Sequence, residues 1–534
     1  LRRTLSAILG IVLAGALVAA PSATTALAEP GSKGSAVQKQ WRSYWVDSFN
    51  AGIYTPAQGD QLIKDAQAIN ANVLIVQVGR WQDCFCNRST YPKTHVAVDP
   101  PPYDPLDMII DKAHAAGLQV HAWVNVAPMW HLATAPPQAD HVFNTHGLNA
   151  TGADRWVNKR YDGTEVVDNN TFTFMDPGNP AAAEYMAKGV TSIAKNYDVD
   201  GMNLDFIRYP DYSLTSAAGE WGYTETALKR FHALTGRTDI PVPSDPQWSQ
   251  WRRDQVSNIV RRIYLGMAEV NPKARLSIDG IVYEHGPSAT PGGWEGTRTY
   301  KEVMQDWRSW LDEGILDTVV AMNYKRELNP DHVNMYREWN EYLKDHQYGR
   351  QNVVGPAIYL NTIPNSVIQA REAFKPSAAG NSVIGWSGYS YAAPTLAVTA
   401  GQAPAATERP ALAAALTTAD PLGEQPLFAD KAKVPKMDWK ESPKTGAVVG
   451  SLKLHDGTPL DQVSITARNV VTGQKVTGRV TDGTGWFGFV DLRPGTWLIE
   501  AKLPKGVVGK HLDAVHIKKG KVAKASLSPL FKRH

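Results

Sequence analysis

Residues 103–126, YDPLDMIIDKAHAAGLQVHAWVNV, hold one unit of a pattern that repeats along the chain. Asp104 and Pro105 open a helix: an Asp side chain can take a free backbone N–H of the first turn, and Pro is tolerated at the first helical position. Apolar residues then recur at the 3.6-residue period, and Gly117 stops the helix. The apolar run from Val120 to Val126 reads as a strand. Strand, turn and amphipathic helix recur in this way from Trp41 to about Pro394. The predicted strands are Ser43–Phe49, Val73–Arg80, Val120–Val126, Gly201–Arg208, Arg275–Val282, Thr318–Tyr324, Val353–Leu360 and Ser382–Tyr389. Helices are predicted at Gly59–Ile69, Leu106–Ala116, Ala181–Tyr197, Trp248–Val270, Tyr300–Glu313, His332–His346 and Asn365–Ala373. The fold class is therefore α/β, a (β/α)8 TIM barrel over 41–394 with enlarged loops after strands three (Ala127–Asn170) and four (Tyr209–Gln247). Both loops leave the C-terminal ends of strands, where such barrels keep their chemistry. The alternative is an open doubly wound sheet, but no Gly-x-Gly-x-x-Gly turn follows the first strand.

The whole chain has 534 residues, 43% of them hydrophobic, enough for more than one core. With 20% charged residues, wholesale disorder and fibrous repeats are excluded. Two cysteines cannot build a disulfide scaffold or a four-ligand zinc site. A net charge of +3 is too small to imply nucleic acid as the main partner, and none is expected. The 17 Trp and 20 Tyr against 12 Phe favour wet, sugar-like or interfacial ligands, because Trp and Tyr join an apolar face to a polar edge.

Arg2 and Arg3, the apolar run Leu5 to Ala20 and the small-x-small Ala26-Leu27-Ala28 predict a signal peptide over 1–28, an uncleaved anchor being the alternative. A flexible lead-in follows over 29–40, with Glu29 as the first mature residue. The protein is then expected to be secreted or cell-wall associated, with no transmembrane helix in the mature chain. In that compartment Cys84 and Cys86 either form a bond across a single residue or remain free. Residues 395–444 read as an extension packed on the barrel, helical near Ala411–Leu416. From Thr445 the period changes to two, as in "DQVSITARNV" and "TWLIEAKL", and predicts a small all-β sandwich over 445–534. This part holds 14 Lys and Arg against 6 Asp and Glu, a net +8 that leaves −5 for the rest. Such a basic module either touches an anionic cell surface or presents a solvated face.

Six stretches, in order, resemble the glycosyl hydrolase-like 10 family of exported bacterial proteins: "SYWVDSF", "VLIVQVGRWQDCF", residues 103–126, "FMDPGNPAAAEYM", "YDVDGMNLDFIRYP" and "VPKMDWK". The resemblance covers about Trp41 to Lys440 and implies hydrolysis of glycans, in its best-understood members peptidoglycan strands stripped of their peptides. Where relatives show Asp-Ala-x-Tyr-x-Ser, this chain has Asp83-Cys84-Phe85-Cys86-Asn87-Arg88-Ser89, which alters the rim of the cleft. The C-terminal part resembles carboxypeptidase regulatory-like domains through "GSLKLHDGTPLDQVSI" and "TDGTGWFGFVDLRPGTW".

Glycoside hydrolysis needs a proton for the leaving oxygen and negative charge near an oxocarbenium-like centre, and two carboxyl groups usually supply them. Asp205, near the end of strand four, meets the requirement best; by period-two alternation it faces the same way as Asn203. It is the expected general acid/base, with Arg208 shaping its charge state. For the second carboxylate, adjacency of strands favours Glu284, followed by Asp279, with Asp47 and Glu327 as further candidates. Expected substrate contacts are Asp47, Arg80, Trp81, Asn125, Asp279, Asn323, Tyr324, Trp386 and Tyr389, with Trp386 as the floor of the central sugar site and Arg80 able to pair with a sugar carboxylate. Trp130, Tyr212, Trp221 and Trp294 could extend the cleft. "DGMNLDFIRY" and "AMNY" loosely resemble chitinase-type barrels, in which the substrate's acetamide is the nucleophile; Ile207 stands where those have Glu, and Tyr324 and Asn323 would then orient the acetamide. His121 and His131 lack a carboxylate–histidine spacing, so no metal and no cofactor are expected. The competing readings are a non-catalytic carbohydrate-binding or cell-wall scaffold barrel and a hydrolase of another polysaccharide.

Overall fold

The computed structural model describes residues 38–532 apart from 51, 133, 168–171, 212–218 and 528–529. The expected signal peptide, most of the lead-in, and Tyr212 thus lie outside the described residues. Eight parallel strands close into a barrel in sequence order: β1 (Trp41–Val46), β2 (Val73–Gly79), β3 (Gln119–Asn125), β4 (Gly201–Asp205), β5 (Arg275–Gly280), β6 (Thr318–Asn323), β7 (Gln351–Pro356) and β8 (Gly385–Tyr389). Each lies within or close to its predicted segment, and the fold is the expected (β/α)8 barrel.

The helices between them begin as the sequence announces. Those at Pro56–Ala68, Pro105–Ala115, Pro180–Asn196, Pro246–Val270 and Pro330–Asp345 start on a proline, and Thr55, Asp104, Asn179, Asp245 and Asn329 just before them accept from free backbone N–H groups. One expectation needs correction. The helix predicted over Tyr300–Glu313 is split into Arg298–Lys301 and Trp307–Glu313. Met304 between them takes φ +57°, which a helix cannot accommodate. The break turns Gln305 inward, where its amide donates to the Asp279 carbonyl (3.3 Å) and its oxygen accepts from the Ile281 N–H (2.8 Å). The broken helix thereby secures the end of β5.

Alternation along the strands sends Trp41, Ser43 and Trp45 of β1 into the barrel, with Val73 and Ile75 of β2, Trp123 of β3, Val320 of β6 and Val353 of β7. Polar side chains inside bond to one another: Ser43 Oγ to Ser387 Oγ (2.7 Å) and Ser277 Oγ to Asn203 Oδ1 (2.8 Å). The N-terminal end is shut. Arg275 donates to Thr318 Oγ1 (2.5 Å) and to the Pro435 carbonyl (3.0 Å), while Trp439 and Lys440 hold Asp317 at 2.7 and 2.6 Å. These last contacts come from the 395–444 segment, whose Ala432–Lys433 also pairs with Gln38–Lys39.

The C-terminal strands form one sheet of three (Gly446–Ser451, Trp486–Leu492, Val522–Ser526) and one of four (Ser464–Asn469, Lys475–Val480, Gly495–Ala501, Leu512–Ile517) around Phe487, Phe489 and Trp497. They dock on the helix Pro246–Val270 through Leu265, Ala447 and Val449, and the ion pairs Arg230–Asp461 (2.6 Å), Arg262–Asp482 (3.0 Å) and Arg479–Glu313 (2.7 Å) lie around that contact. The 395–444 segment lies across the N-terminal end and the sandwich sits on a flank, which leaves the C-terminal ends of the strands, where such barrels keep their chemistry, for the candidate site.

Candidate active site

β4 ends at Asp205 because Phe206 takes φ +51°, a conformation unfavourable for a bulky residue and typical of functional sites. The turn brings the Phe206 N–H onto Asp205 Oδ1 (2.7 Å). It also takes Arg208 off the strand on which it was predicted. β4 and β5 pair with Asn203 opposite Ser277, so two residues further on Asp205 and Asp279 stand side by side on adjacent strands, both facing inward. Asp205 is 6% exposed and Asp279 2%. The Trp45 indole N–H (3.0 Å) and the Asn203 amide (2.8 Å) both donate to Asp279 Oδ1.

Burial raises the Asp205 pKa to about 6; the Arg208 guanidinium and the Phe206 N–H oppose that rise, and the Asp211 charge adds to it. Burial holds Asp279 well above the carboxylate range, and the neighbouring Asp205 charge pushes it further. Two carboxyls driven apart in this way lose their protons in two steps that belong to the pair. Above about pH 6 the pair carries one proton and one negative charge. Arg208 lies over the Phe206 ring (4.1 Å) with its guanidinium 3.8 Å from Asp211, and Asp211 in turn accepts from the Tyr283 hydroxyl.

An aromatic collar surrounds the pair. Tyr324 and Tyr389 stack (5.2 Å between centroids), and Tyr389 meets Trp45 (5.9 Å), Trp123 (6.4 Å) and Tyr359 (5.7 Å) edge-on. The charges of Asp205 and Asp279 reach both tyrosines, and with burial they raise the phenol pKa values. Asn125, in register with Asp205, accepts from Trp123 Nε1 and Gln77 Nε2, both at 3.1 Å. Trp45 fits because β7 presents Gly355 to it: a Cβ there would meet the indole at 2.3 Å. Gly355→Ala is therefore expected to displace the indole that holds Asp279, with a loss of about 1–3 kcal/mol of stability. Thermal unfolding measures the stability loss, Trp fluorescence the displacement, and kcat/KM is expected to fall with them.

The predicted contacts divide clearly. Asp205, Asp279, Asn125, Tyr324 and Tyr389 come together at the mouth. Arg80 and Trp81 stand at its rim, after β2. Glu284 does not join them: four residues past the end of β5, its side chain is 62% exposed and pairs with Arg298 (3.2 Å), whereas Asp279 is the carboxyl that neighbours Asp205. Glu327, with its N–H on Asn361 Oδ1 (2.8 Å), belongs to the loop after β6. Asp47 Oδ1 accepts from the N–H groups of Phe49 and Asn50 (both 3.1 Å) and shapes the loop after β1. Asn323 and Trp386 face the opposite way from the expected one. Asn323 points to the helix layer and donates to the Tyr336 carbonyl and Asn340 (both 3.1 Å), and thus cannot orient an acetamide in the barrel. Trp386 packs outside on Phe428 (5.6 Å) and Tyr44 (6.3 Å), while its neighbour Ser387 faces inward.

Trp130, Trp221 and Trp294 are buried, the last against Trp307 and Tyr342, so their rings are core or loop packing. Cys84 and Cys86 form a disulfide. His121 is fully buried against Trp41 (4.8 Å) and His131 stacks on Trp130 (4.5 Å). Among the described residues no three His, Cys, Asp or Glu side chains converge as a metal site, and no helix is long and apolar enough to cross a membrane. Sequence reasoning left out Trp45, Trp123 and Gln77. Counting inward positions at intervals of two along β1, β2 and β3 would have found them.

Fold and site together define a (β/α)8 barrel with a buried pair of carboxyls at the C-terminal ends of adjacent strands. The chain belongs to the glycosyl hydrolase-like 10 family, whose sequence profile matches residues 40–347. It is similar to the glycosyl hydrolase YngK of Bacillus subtilis (25% identity over 303 residues, 54% of this chain and 54% of that protein). It is also similar to the glycosyl hydrolase DigH of Escherichia coli K12 (25% over 227 residues, 42% of this chain and 47% of that protein). The similarity thus spans about half the length of these relatives. Among solved structures, the glycoside hydrolase domain of PgaB (BpsB) from Bordetella bronchiseptica aligns over 70% of this chain and 98% of its own, with a TM-score of 0.48 and 13% identity.

Proposed function

We propose that this protein is a glycoside hydrolase of bacterial cell-wall glycan, acting on peptidoglycan strands that lack stem peptides. The observation that carries the reading is the Asp205–Asp279 pair: two buried carboxyls on adjacent strands that together hold one proton and one charge, the two elements that glycoside cleavage needs. The aromatic collar suits the apolar faces of sugar rings, and the family membership and the relatives named as glycosyl hydrolases point the same way. Release of reducing ends from a panel of glycans, with and without N-acetyl groups, tests the substrate class. Peptide-free peptidoglycan is expected to be cleaved fastest; release from none of them would refute the reading. Export is part of the proposal, supported by the Arg2–Arg3 start and the apolar run in the sequence and by the Cys84–Cys86 disulfide, which suits an oxidising compartment. The net +8 of residues 445–534 would favour contact with anionic wall polymers.

The pair makes activity depend on pH in a definite direction. If the singly protonated pair is the active form, kcat/KM rises as pH increases through about 6. Arg208 lowers the Asp205 pKa, so Arg208→Gln is expected to move this acid limb upward; Asp211 raises it, so Asp211→Asn is expected to move the limb downward. Each shift should be roughly one pH unit or less at an effective dielectric of about 20. A limb that moves the same way in both variants, or in neither, would show that it does not report Asp205.

A further inference from the structure

We propose that Arg80, with the aromatic platform beside it, forms a subsite that selects a sugar ring carrying a carboxylate; this rests on the glycan-cleaving reading above. Arg80 follows β2 at the barrel mouth. Its Nη1 donates to the Ser48 carbonyl (2.8 Å), and its guanidinium lies over Phe49 (4.8 Å) and Phe85 (5.9 Å). Its Nε is buried without an acceptor. Among the described residues no carboxylate stands within ion-pairing distance of Arg80, whereas Arg230, Arg261, Arg262 and Arg298 each hold an Asp or Glu. Arginines of the shut N-terminal end and of the helix layer that lack a carboxylate take several acceptors instead, as Arg42 and Arg252 do. Arg80 has one. A partly buried cation left so poorly matched is unfavourable unless an anion completes it, and a guanidinium fork matches a carboxylate.

The surroundings suit a sugar ring. Phe49 is 56% exposed, large for a Phe at a cleft rim. Trp81 stands edge-on to Phe49 (6.4 Å), His131 (5.9 Å) and Phe172 (5.3 Å). One ring could stack on this surface while its carboxylate meets Arg80. The platform is also tied to the carboxyl pair. The Ser48 N–H (3.0 Å) and hydroxyl (2.9 Å) donate to Gln77, which donates to Asn125 (3.1 Å), the register partner of Asp205. A second connection runs through the rings of Phe172, Phe174 and Phe206 (5.3 and 5.9 Å). The carboxylate could be the lactyl ether of a muramic residue or a uronic acid.

Calorimetric binding separates these possibilities, with Asp205→Asn protein to prevent turnover. The probes are an N-acetylglucosamine–N-acetylmuramic acid tetrasaccharide, the same compound with its carboxyls reduced to alcohols, and a glucuronate-containing tetrasaccharide. We expect the muramyl compound to bind at least about tenfold tighter than its reduced form. Adding Arg80→Gln should bring the two within about twofold, and Arg80→Lys should fall between. A uronate compound that binds as well as the muramyl one extends the site to any sugar acid; one that binds like the reduced form assigns it to the lactyl group. Equal binding of native and reduced compounds, no binding of any compound, or an Arg80→Gln loss equal for both would overturn the proposal. Hydrolysis by the unsubstituted protein is scored separately: discrimination by Arg80 without any cleavage would sink the hydrolase reading and leave the subsite standing.

Discussion

Asp205→Asn is expected to abolish most turnover, by about 10³-fold or more, while making the protein more stable at neutral and alkaline pH. The loss follows from the pair: an Asn can neither carry the charge nor exchange the proton, and positioned acid–base groups contribute about 10²–10⁴-fold. The stability gain follows from burial. The folded pKa of about 6 stands above the unfolded value near 3.8. Its contribution is therefore fully favourable below about pH 4 and is lost as pH rises through 6, at roughly 3 kcal/mol for two pH units. Asn removes that cost. Thermal melts should thus show the variant above the parent at pH 8 and level with it near pH 4, beside a collapse in kcat. A variant destabilised at every pH would mean that Asp205 is a structural partner of its neighbours.

Asp279→Asn is expected to lower kcat by about 10²–10³-fold and to change the pH profile in a distinct way. Asp205 remains buried beside a neutral group, so the acid limb near pH 6 should persist. The alkaline limb, set by the proton that Asp279 retains far above the usual range, should disappear. Asn can still accept from Trp45 and Asn203, so the fold should survive. Activity within about threefold of the parent would show that a single carboxyl is sufficient.

Much of this architecture was written in short-range signals. The barrel strands are almost wholly buried segments, most plainly the apolar run of β2, and five of the longer helices open with an Asx or Thr cap followed by Pro, chemistry that acts within four residues. The inward position of Asp205 was legible because Asn203 and Asp205 share one face of a strand whose apolar neighbours, Met202 and Leu204, define the other. Trp386 and Asn323 were not, because a one-residue change of parity sends a side chain from the barrel interior to the helix layer, and neither segment has polar–apolar alternation to fix it. Glu284 was favoured by strand adjacency alone; nothing local marks the end of β5 at Gly280, an end made by Gln305, 25 residues later, through hydrogen bonds no local pattern announces. Nothing near Trp45 in the sequence marks it as a partner of Asp279. Its role depends on Gly355, some 310 residues away on β7, leaving room for the indole.

The central claim is that Asp205 and Asp279 add water across a glycosidic bond. Mass spectrometry of the products from peptide-free glycan strands digested in H2(18)O tests it most directly. Expected are shorter oligosaccharides with one (18)O at each newly formed reducing end and none in the fragment that keeps the original end, formed by the unsubstituted protein and absent with Asp205→Asn. Strands that stay intact, new reducing ends without the label, or labelled products formed equally by the Asn variant would contradict it.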